Sequence, residues 1–426
     1  MGMSEAFDGG RLEGGPTSAA RLAHTIPALG IAQIASWGSL YYAFAVLAKP
    51  IQADLHLSQP EIFGAFTFAL LTSSLCAPRV GRAIDRLGGK RVLCVGSLVA
   101  ATALLAMACV TDVWTVYAAW MLAGLAMPMA LYDPAFATLH QLDAARYRRS
   151  VSTLTLFGGF ASTVFWPLTA FLNAELGWRM TLLVFAGIQI AVCLPLHGLV
   201  LPRLSARAQP QVAARAPDAS PSTVAGKPFF LLAGAFAAAL FVFGALSVHL
   251  LNLLQAGGLS TAQAVMVASV IGPMQVTGRV MELVFAKRLP PVQVGWLSLS
   301  LLVVALPLLA SSPGSIGTGM AFAVVYGLSN GLLTIVRGTL PADLFPGVPV
   351  GSLLGRLARP TLLSMAIAPL CFSLVSASGV AFVGLVLVLL GLASLALLLL
   401  IAATRQPRVE AAEVGEAQIE AKRASQ

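Results

Sequence analysis

The stretch GRAIDRLGGKR, residues Gly81–Arg91, separates two long apolar runs near the start of the chain. It gathers four cations around a single acid, Asp85. So many charges are costly in hydrocarbon, so the stretch is expected at a membrane surface. Gly88 and Gly89 permit a tight turn, and Gly81 permits close helix approach. The stretch therefore predicts a short charged hairpin between two buried helices.

The composition of the chain indicates that its solvent is the lipid bilayer. Hydrophobic residues make up 58% of the 426 residues, charged residues make up 10%, and the mean hydropathy is +0.86. An ordinary soluble domain is excluded by these values. The formal charge of +9 lies mostly in short loops, where it sets membrane topology, so nucleic acid is not an expected partner.

The apolar runs predict an all-α membrane protein with twelve transmembrane helices in two pseudo-symmetric six-helix bundles. The first six runs cover residues 24–49, 58–80, 91–111, 114–140, 151–174 and 178–201. The second six runs cover residues 228–254, 260–285, 291–311, 314–340, 351–377 and 378–404.

Polar segments divide the chain into five parts. Residues 1–23 and 405–426 are expected to be cytoplasmic tails, the first of them disordered. Residues 202–227 switch abruptly to Pro, Ala, Ser and Arg, a composition that is typical of a linker between domains. The two six-helix halves would then cover residues 24–201 and 228–404.

A weak internal repeat supports two equivalent halves. Leu57-Ser58, before the second run, recurs as Leu259-Ser260 before the eighth. Likewise, the pattern from Gly81 to Asp85 is echoed from Gly278 to Glu282. Repeated halves are the expected construction of many membrane transporters.

The cations predict the orientation in the membrane. If both termini are cytoplasmic, 24 of the 26 Lys and Arg residues lie inside or near the inner ends of helices, and only Lys49 and Arg179 lie outside. This asymmetry follows the positive-inside rule. We expect a multi-pass, monomeric protein of the inner (plasma) membrane with both termini in the cytoplasm.

The charged hairpin resembles the signature loop between the second and third helices of the major facilitator superfamily. The resemblance rests on the spacing of Gly81, Asp85, Arg86, Gly88, Lys90 and Arg91, and its second-half echo adds Gly278, Arg279 and Glu282. It implies a transporter that alternates between inward-open and outward-open states, with these residues forming a loop that switches conformation. It also implies that Asp85 steadies the closed cytoplasmic side.

Two charged residues inside predicted helices are candidates for substrate binding or coupling. Asp133 lies in the fourth run and Arg337 lies in the tenth. An ionisable side chain in hydrocarbon costs a few kcal/mol, so each needs a partner or a function. Arg337 could bind an anionic substrate and Asp133 could exchange a proton. The alternative is a gate pair near the inner side.

Two polar stripes and one histidine complete the predicted substrate site. Helical spacing places three residues of the tenth run on one face, and three of the first run likewise. His249 lies near the outer end of the seventh run. Helix-to-helix hydrogen bonding is the alternative account of both stripes. The stripes consist of Tyr326, Asn330 and Arg337, and of Gln33, Trp37 and Tyr41.

These observations predict a secondary active transporter of a small organic solute, with a carboxylate or other organic anion as the candidate, driven by a proton or solute gradient. The first run also resembles the monocarboxylate and oxalate branch. No metal motif or nucleotide-binding loop occurs, so we expect no cofactor. Multidrug or metabolite efflux by proton antiport is the alternative, although the Gly-Pro pattern of many drug antiporters is missing from the fifth run. The arginine that the superfamily often places in the fourth helix is also missing, so coupling through that arginine is not expected. An enzyme would have only His140 and Asp143 as candidates, and a non-transporting receptor is the remaining possibility.

Overall fold

The computed structural model describes residues 18–202, 226–285, 288–311 and 314–405. The predicted tails and the linker lie largely outside these residues. Within the described parts of the chain the structure is helical and has no β-strand. This confirms the predicted all-α fold, which follows because a membrane-spanning backbone must satisfy its own hydrogen bonds.

The first half contains eight α-helices, and three short π-helices (π1–π3) interrupt its spans. The α-helices are α1 (Ser18–Trp37), α2 (Ala43–Asp54), α3 (Gln59–Leu87), α4 (Gly89–Ala108), α5 (Val113–Ala130), α6 (Tyr132–Leu142), α7 (Tyr147–Gly159) and α8 (Ala161–Ile188). The π-helices are π1 (Gly38–Tyr42), π2 (Gln189–Cys193) and π3 (Leu196–Val200).

The second half contains six long α-helices, one for each predicted crossing. They are α9 (Lys227–Ala256), α10 (Thr261–Phe285), α11 (Pro291–Ala310), α12 (Ile316–Leu344), α13 (Val350–Ala377) and α14 (Phe382–Arg405).

Eleven helical segments in the described chain are long and apolar enough to cross a membrane, and one of them crosses twice. That segment covers residues 147–200, which at about 1.5 Å per residue is far longer than a bilayer is thick. Gly177 breaks it with a φ of 79°. Arg179, just beyond the break, forms an ion pair with Asp54 at the end of α2. The carbonyl of Leu201 accepts a hydrogen bond from Lys90 at the start of α4, which lies at the opposite end of the bundle. The chain therefore turns at Gly177.

The ends of the bundle are named here by the chain termini. The terminal side holds the starts of α1 and α9 and the end of α14, and the far side holds the opposite ends. On the far side, the predicted repeat is confirmed in the capping of helices. Glu61 accepts a hydrogen bond from the Ser58 backbone at 2.7 Å, and Gln263 accepts one from the Ser260 backbone at 2.9 Å. Both are capping boxes, because a side chain three residues into the helix satisfies the cap residue.

Each half builds its own hydrophobic core. One cluster of buried side chains comes entirely from α9–α14, and a second comes almost entirely from α1–α8. A third cluster joins the halves at the terminal side, where Val80 and Leu139 meet Ile335 and Leu354. The halves are therefore packed together at one end of the bundle.

The charged signature is more helical than the sequence predicted. The second span extends to Leu87 instead of ending near residue 80, so Asp85 and Arg86 belong to α3. The turn into α4 uses one residue, Gly88, whose φ of 82° is unfavourable for other residues. Because α3 and α4 both satisfy their backbones up to this point, a single glycine is enough to reverse the chain.

Helices α3 and α13 form the most extensive contact between the two halves. Their backbones approach closely because glycines face each other. A Cβ atom added at Gly81 would overlap the carbonyl oxygen of Gly351 and crowd Gly355. Small residues allow this kind of approach between membrane helices.

We predict that Gly81→Val will open the terminal side, because its side chain cannot fit between α3 and α13. Distances between spin labels at the terminal-side ends of α4 and α11 should lengthen. Gly391→Val is the control, since nothing lies within 4 Å of a Cβ atom at that position. An unchanged distance distribution in Gly81→Val would contradict the prediction.

Candidate substrate site

The fourth crossing is broken in the middle, which the sequence analysis did not predict. Helix α5 ends at Ala130, Leu131 is extended with a ψ of −155°, and α6 starts at Tyr132. Asp133 therefore lies in the first turn of α6, where a carboxylate is stabilised by the helix dipole. Discontinuous membrane helices commonly form binding sites.

Gln33 from α1 compensates for this break. Pro134 has no N–H, so the carbonyl of Ala130 lacks its usual helical partner. The Gln33 side-chain amide donates to that carbonyl at 2.9 Å and to the carbonyl of Leu131 at 3.2 Å. Gln33 is fully buried, so its role is to hold the break in shape and not to line a cavity, as the sequence had suggested.

Asp133 and Arg337 face each other across the interface between the halves. Both side chains are half-buried, and their charges are close enough to interact. No hydrogen bond or ion pair within 4.0 Å joins them in the described chain. The two opposite charges are therefore near neighbours that do not form a salt bridge.

Aromatic side chains from the first half surround this interface. The Trp37 ring lies 5.4 Å from that of Tyr41, 6.1 Å from that of Tyr42 and 5.1 Å from that of Tyr132. All four are half-buried. Tyr41 and Tyr42 lie within or at the end of π1, whose wider turn changes the helical register, so Gln33 and Tyr41 do not share the same environment.

Arg279 is a second cation, after Arg337, that lies near these aromatic side chains. The sequence analysis assigned it to a conformational-switch loop, but it lies inside α10 and is only 6% exposed. One guanidinium nitrogen donates to the carbonyl of Thr155 at 3.1 Å, while Nε has no partner among the described residues. Its charge lies close enough to the hydroxyl groups of Tyr42 and Tyr132 to interact with them.

Some predicted site residues lie elsewhere. Tyr326 is 4% exposed and packs between Phe243 and Phe322 in the core of the second half. His249 contacts the carbonyl of Pro369 at 3.0 Å, so it joins α9 to α13. Asn330 is half-buried, and its side chain has no hydrogen-bond partner in the described chain.

The switch residue Asp85 ties the first half to the start of α13. It accepts hydrogen bonds from the backbone N–H of Gly351 at 3.0 Å and of Ser352 at 2.6 Å, and from the Ser352 hydroxyl. A carboxylate at a helix N-terminus gains from both the free N–H groups and the helix dipole. Elsewhere in the signature, Arg86 and Arg91 are exposed, and Lys90 donates to the carbonyl of Leu201 at 2.7 Å.

In the second half, the repeated motif contacts side chains of α7 instead of a helix N-terminus. Glu282, predicted to lie in a loop, is 4% exposed within α10. It pairs with Arg148 at 2.8 Å and accepts from the Ser152 hydroxyl, both on α7. Close by, the Tyr147 hydroxyl donates to the carbonyl of Gly338. Gly278, one turn before Glu282, allows α10 to approach the backbone of α12.

The hydrogen bonds and ion pairs between the halves are concentrated towards the terminal side of the described chain. In the described chain, the hydrogen bonds and ion pairs between the halves lie between the terminal side and Ser74, which donates to the carbonyl of Arg359 at 2.7 Å near the middle of α3. Among the described residues, no such bond joins the halves beyond this level. Helices α3, α7, α10 and α13 therefore carry the polar contacts that join the halves.

This arrangement defines a class of protein: a polytopic helical membrane protein built from two six-helix halves. A family model described as Major Facilitator Superfamily matches residues 29–346. The chain belongs to this superfamily, whose members are transporters and not enzymes. The predicted resemblance is therefore confirmed.

Solved structures show the same fold at low sequence identity. The human organic anion transporter MFSD10 (TETRAN) is 18% identical, with a TM-score of 0.70, over 91% of this chain and 100% of that one. The proton:xylose symporter XylE bound to 6-bromo-6-deoxy-D-glucose is 13% identical, with a TM-score of 0.68, over 90% and 95%. No curated protein matches the sequence significantly.

Sequence reasoning missed Tyr42, Tyr132, Arg148 and the broken fourth crossing. One available signal was Pro134 inside the fourth run, because a proline leaves the carbonyl four residues earlier without a helical donor. The others had no signal, since side chains meet only once α1, α6, α7 and α10 are packed.

We predict that Gln33→Met will lower the unfolding free energy by about 1–3 kcal/mol, because it leaves two buried carbonyls without a donor. The thermal unfolding midpoint of the purified protein checks this. Gln293→Met is the control, because Gln293 is exposed. Equal midpoints for the two variants would contradict the proposed role of Gln33.

We predict that Arg148→Gln will destabilise the protein by about 3–5 kcal/mol, because Glu282 is left buried without its cation. The double variant Arg148→Gln/Glu282→Gln should recover part of that loss. A thermal unfolding cycle of both single variants and the double variant measures the coupling. Strictly additive effects would show that the pair contributes no interaction energy.

Proposed function

We propose that this secondary transporter moves a small organic anion, with a carboxylate as the group it recognises, by alternating access. The observation that supports this most directly is a pair of buried donors without acceptors. Trp37 Nε1 and Arg279 Nε have no hydrogen-bond partner in the described chain, and both side chains lie around Tyr132. Buried donors without partners are costly, and anionic oxygens would satisfy them.

The charges favour an anion as well. Arg279 and Arg337 face the interface with one acid, Asp133, while Glu282 is neutralised by Arg148. The empty site thus has an excess of one positive charge. Arginine suits a carboxylate because its planar guanidinium can bind two oxygens at once. That MFSD10 is described as an organic anion transporter is in keeping with this proposal.

Asp133 is the candidate for coupling to protons. While ionised, it competes with an anionic substrate for Arg337. Protonation of Asp133 would remove that competition and add one unit of positive charge to the site. The substrate and one proton would then enter together, which makes proton symport the expected mode. If the termini are cytoplasmic, as the cation distribution predicts, the contacts on the terminal side would close the path between the site and the cytoplasm.

A thermal-shift screen of carboxylates, neutral sugars, amino acids and cationic drugs on purified protein identifies the ligand class, because a ligand of the native state raises the unfolding midpoint. We expect carboxylates alone to raise it. Arg337→Gln and Arg279→Gln should abolish the shift, and the exposed Arg405→Gln should preserve it. A shift by cationic drugs that survives in Arg337→Gln would instead support drug efflux.

Transport in proteoliposomes tests the coupling. For the carboxylate that binds, we expect an inward proton gradient to drive accumulation by the parent protein. Asp133→Asn should abolish gradient-driven accumulation while retaining exchange of the carboxylate across the membrane. The charge-swapped double variant Asp133→Arg/Arg337→Asp tests whether position matters. If all three of Asp133→Asn, Arg337→Gln and the swapped variant transport like the parent, the proposal is wrong.

A further inference from the structure

A groove on the lipid-facing side of the first half has no role in the substrate site. It lies between the terminal-side parts of α1 and α7 and has a volume of about 700 Å³. Its walls belong to two membrane-spanning segments, which start near Leu22 and Tyr147. The groove therefore opens where the headgroups meet the hydrocarbon at the terminal side.

The polarity of the groove changes along its length. Arg146, Arg149 and Ser150 line its terminal-side end, whereas Pro27 and Phe157 line the part deeper in the membrane. From Arg146 to Phe157 the helix rises by about 16 Å, at 1.5 Å per residue. A phospholipid has this same order of parts, with a polar headgroup above apolar chains.

The two arginines are available for an anion. Arg149 is exposed, and its side chain forms no hydrogen bond or ion pair with any described residue. Arg146 has a side chain that is 55% exposed, and its contact with Asp143 is long, at 3.9 Å. Arg149 therefore has no counter-ion among the described residues and Arg146 has only this long, exposed contact, whereas Arg148 on the neighbouring face of α7 pairs with buried Glu282 at 2.8 Å.

We propose that this groove binds one anionic glycerophospholipid. Its phosphate contacts Arg146 and Arg149, and an acyl chain lies along Ile26, Pro27 and Phe157. Basic sites between membrane helices at an anionic surface attract such headgroups. Because α7 also presents Tyr147, Arg148 and Ser152 to the second half, a bound lipid would stabilise the helix that closes the terminal side. This site is independent of the transported substrate.

Native mass spectrometry of the full chain in neutral detergent tests the proposal, with phosphatidylglycerol and phosphatidylcholine as probes. We expect one phosphatidylglycerol to remain bound, and Arg146→Gln/Arg149→Gln to weaken its binding roughly 10-fold or more, since each cation near an anionic surface contributes measurably. Binding of phosphatidylcholine should not change. The control Arg288→Gln/Arg405→Gln removes the same charge from exposed positions outside the groove.

Three results would overturn the proposal. The first is equal binding of the two lipids by the parent protein. The second is equal weakening by the control variant, which would indicate a diffuse effect of charge. The third is displacement of phosphatidylglycerol by millimolar inorganic phosphate, which would indicate a site for free anions. The altered arginines are exposed, so the variants should fold, and equal unfolding midpoints without added lipid verify this.

Discussion

Hydrocarbon offers no hydrogen bonds, and this constraint explains most of the structure. It requires each crossing to be helical, and it requires a compensating group wherever a helix breaks. Pro134 breaks the fourth crossing and Gln33 supplies the missing donor from another helix. Since this repair uses a fully buried residue of α1, the position of Asp133 depends on the packing of α1 against α5 and α6.

The same constraint distinguishes structural polar groups from functional ones. Gln33 and His249 contact backbone carbonyls of neighbouring helices, and Glu282 has both a cation and a hydroxyl. Trp37 and Arg279 each retain a buried donor without an acceptor in the described chain, as do Trp120 and Arg148, and Gln33 retains an acceptor without a donor. What sets Trp37 and Arg279 apart is their place beside Tyr132 at the interface between the halves.

The two halves use related but different contacts to close the terminal side. Asp85 binds the N-terminus of α13, whereas Glu282, at the repeated position, binds side chains of α7. A helix end offers fixed N–H groups, and a pair of side chains requires both partners to be ordered and desolvated. The repeat thus preserves which helices meet but not the chemistry by which they are joined. Both contacts must break before the terminal side can open.

The sequence alone determined the solvent of this protein, its helical class, the number of crossings and the family motif, because these depend on local composition and on the length of apolar runs. It also identified Asp133 and Arg337, since charges in apolar runs are conspicuous. It could not place Tyr326 in the core of the second half or Gln33 against the break in the fourth crossing, because helical spacing gives the face of a helix and not the neighbour which that face meets. Only tertiary packing decided which polar residues are satisfied by the protein and which remain for a ligand.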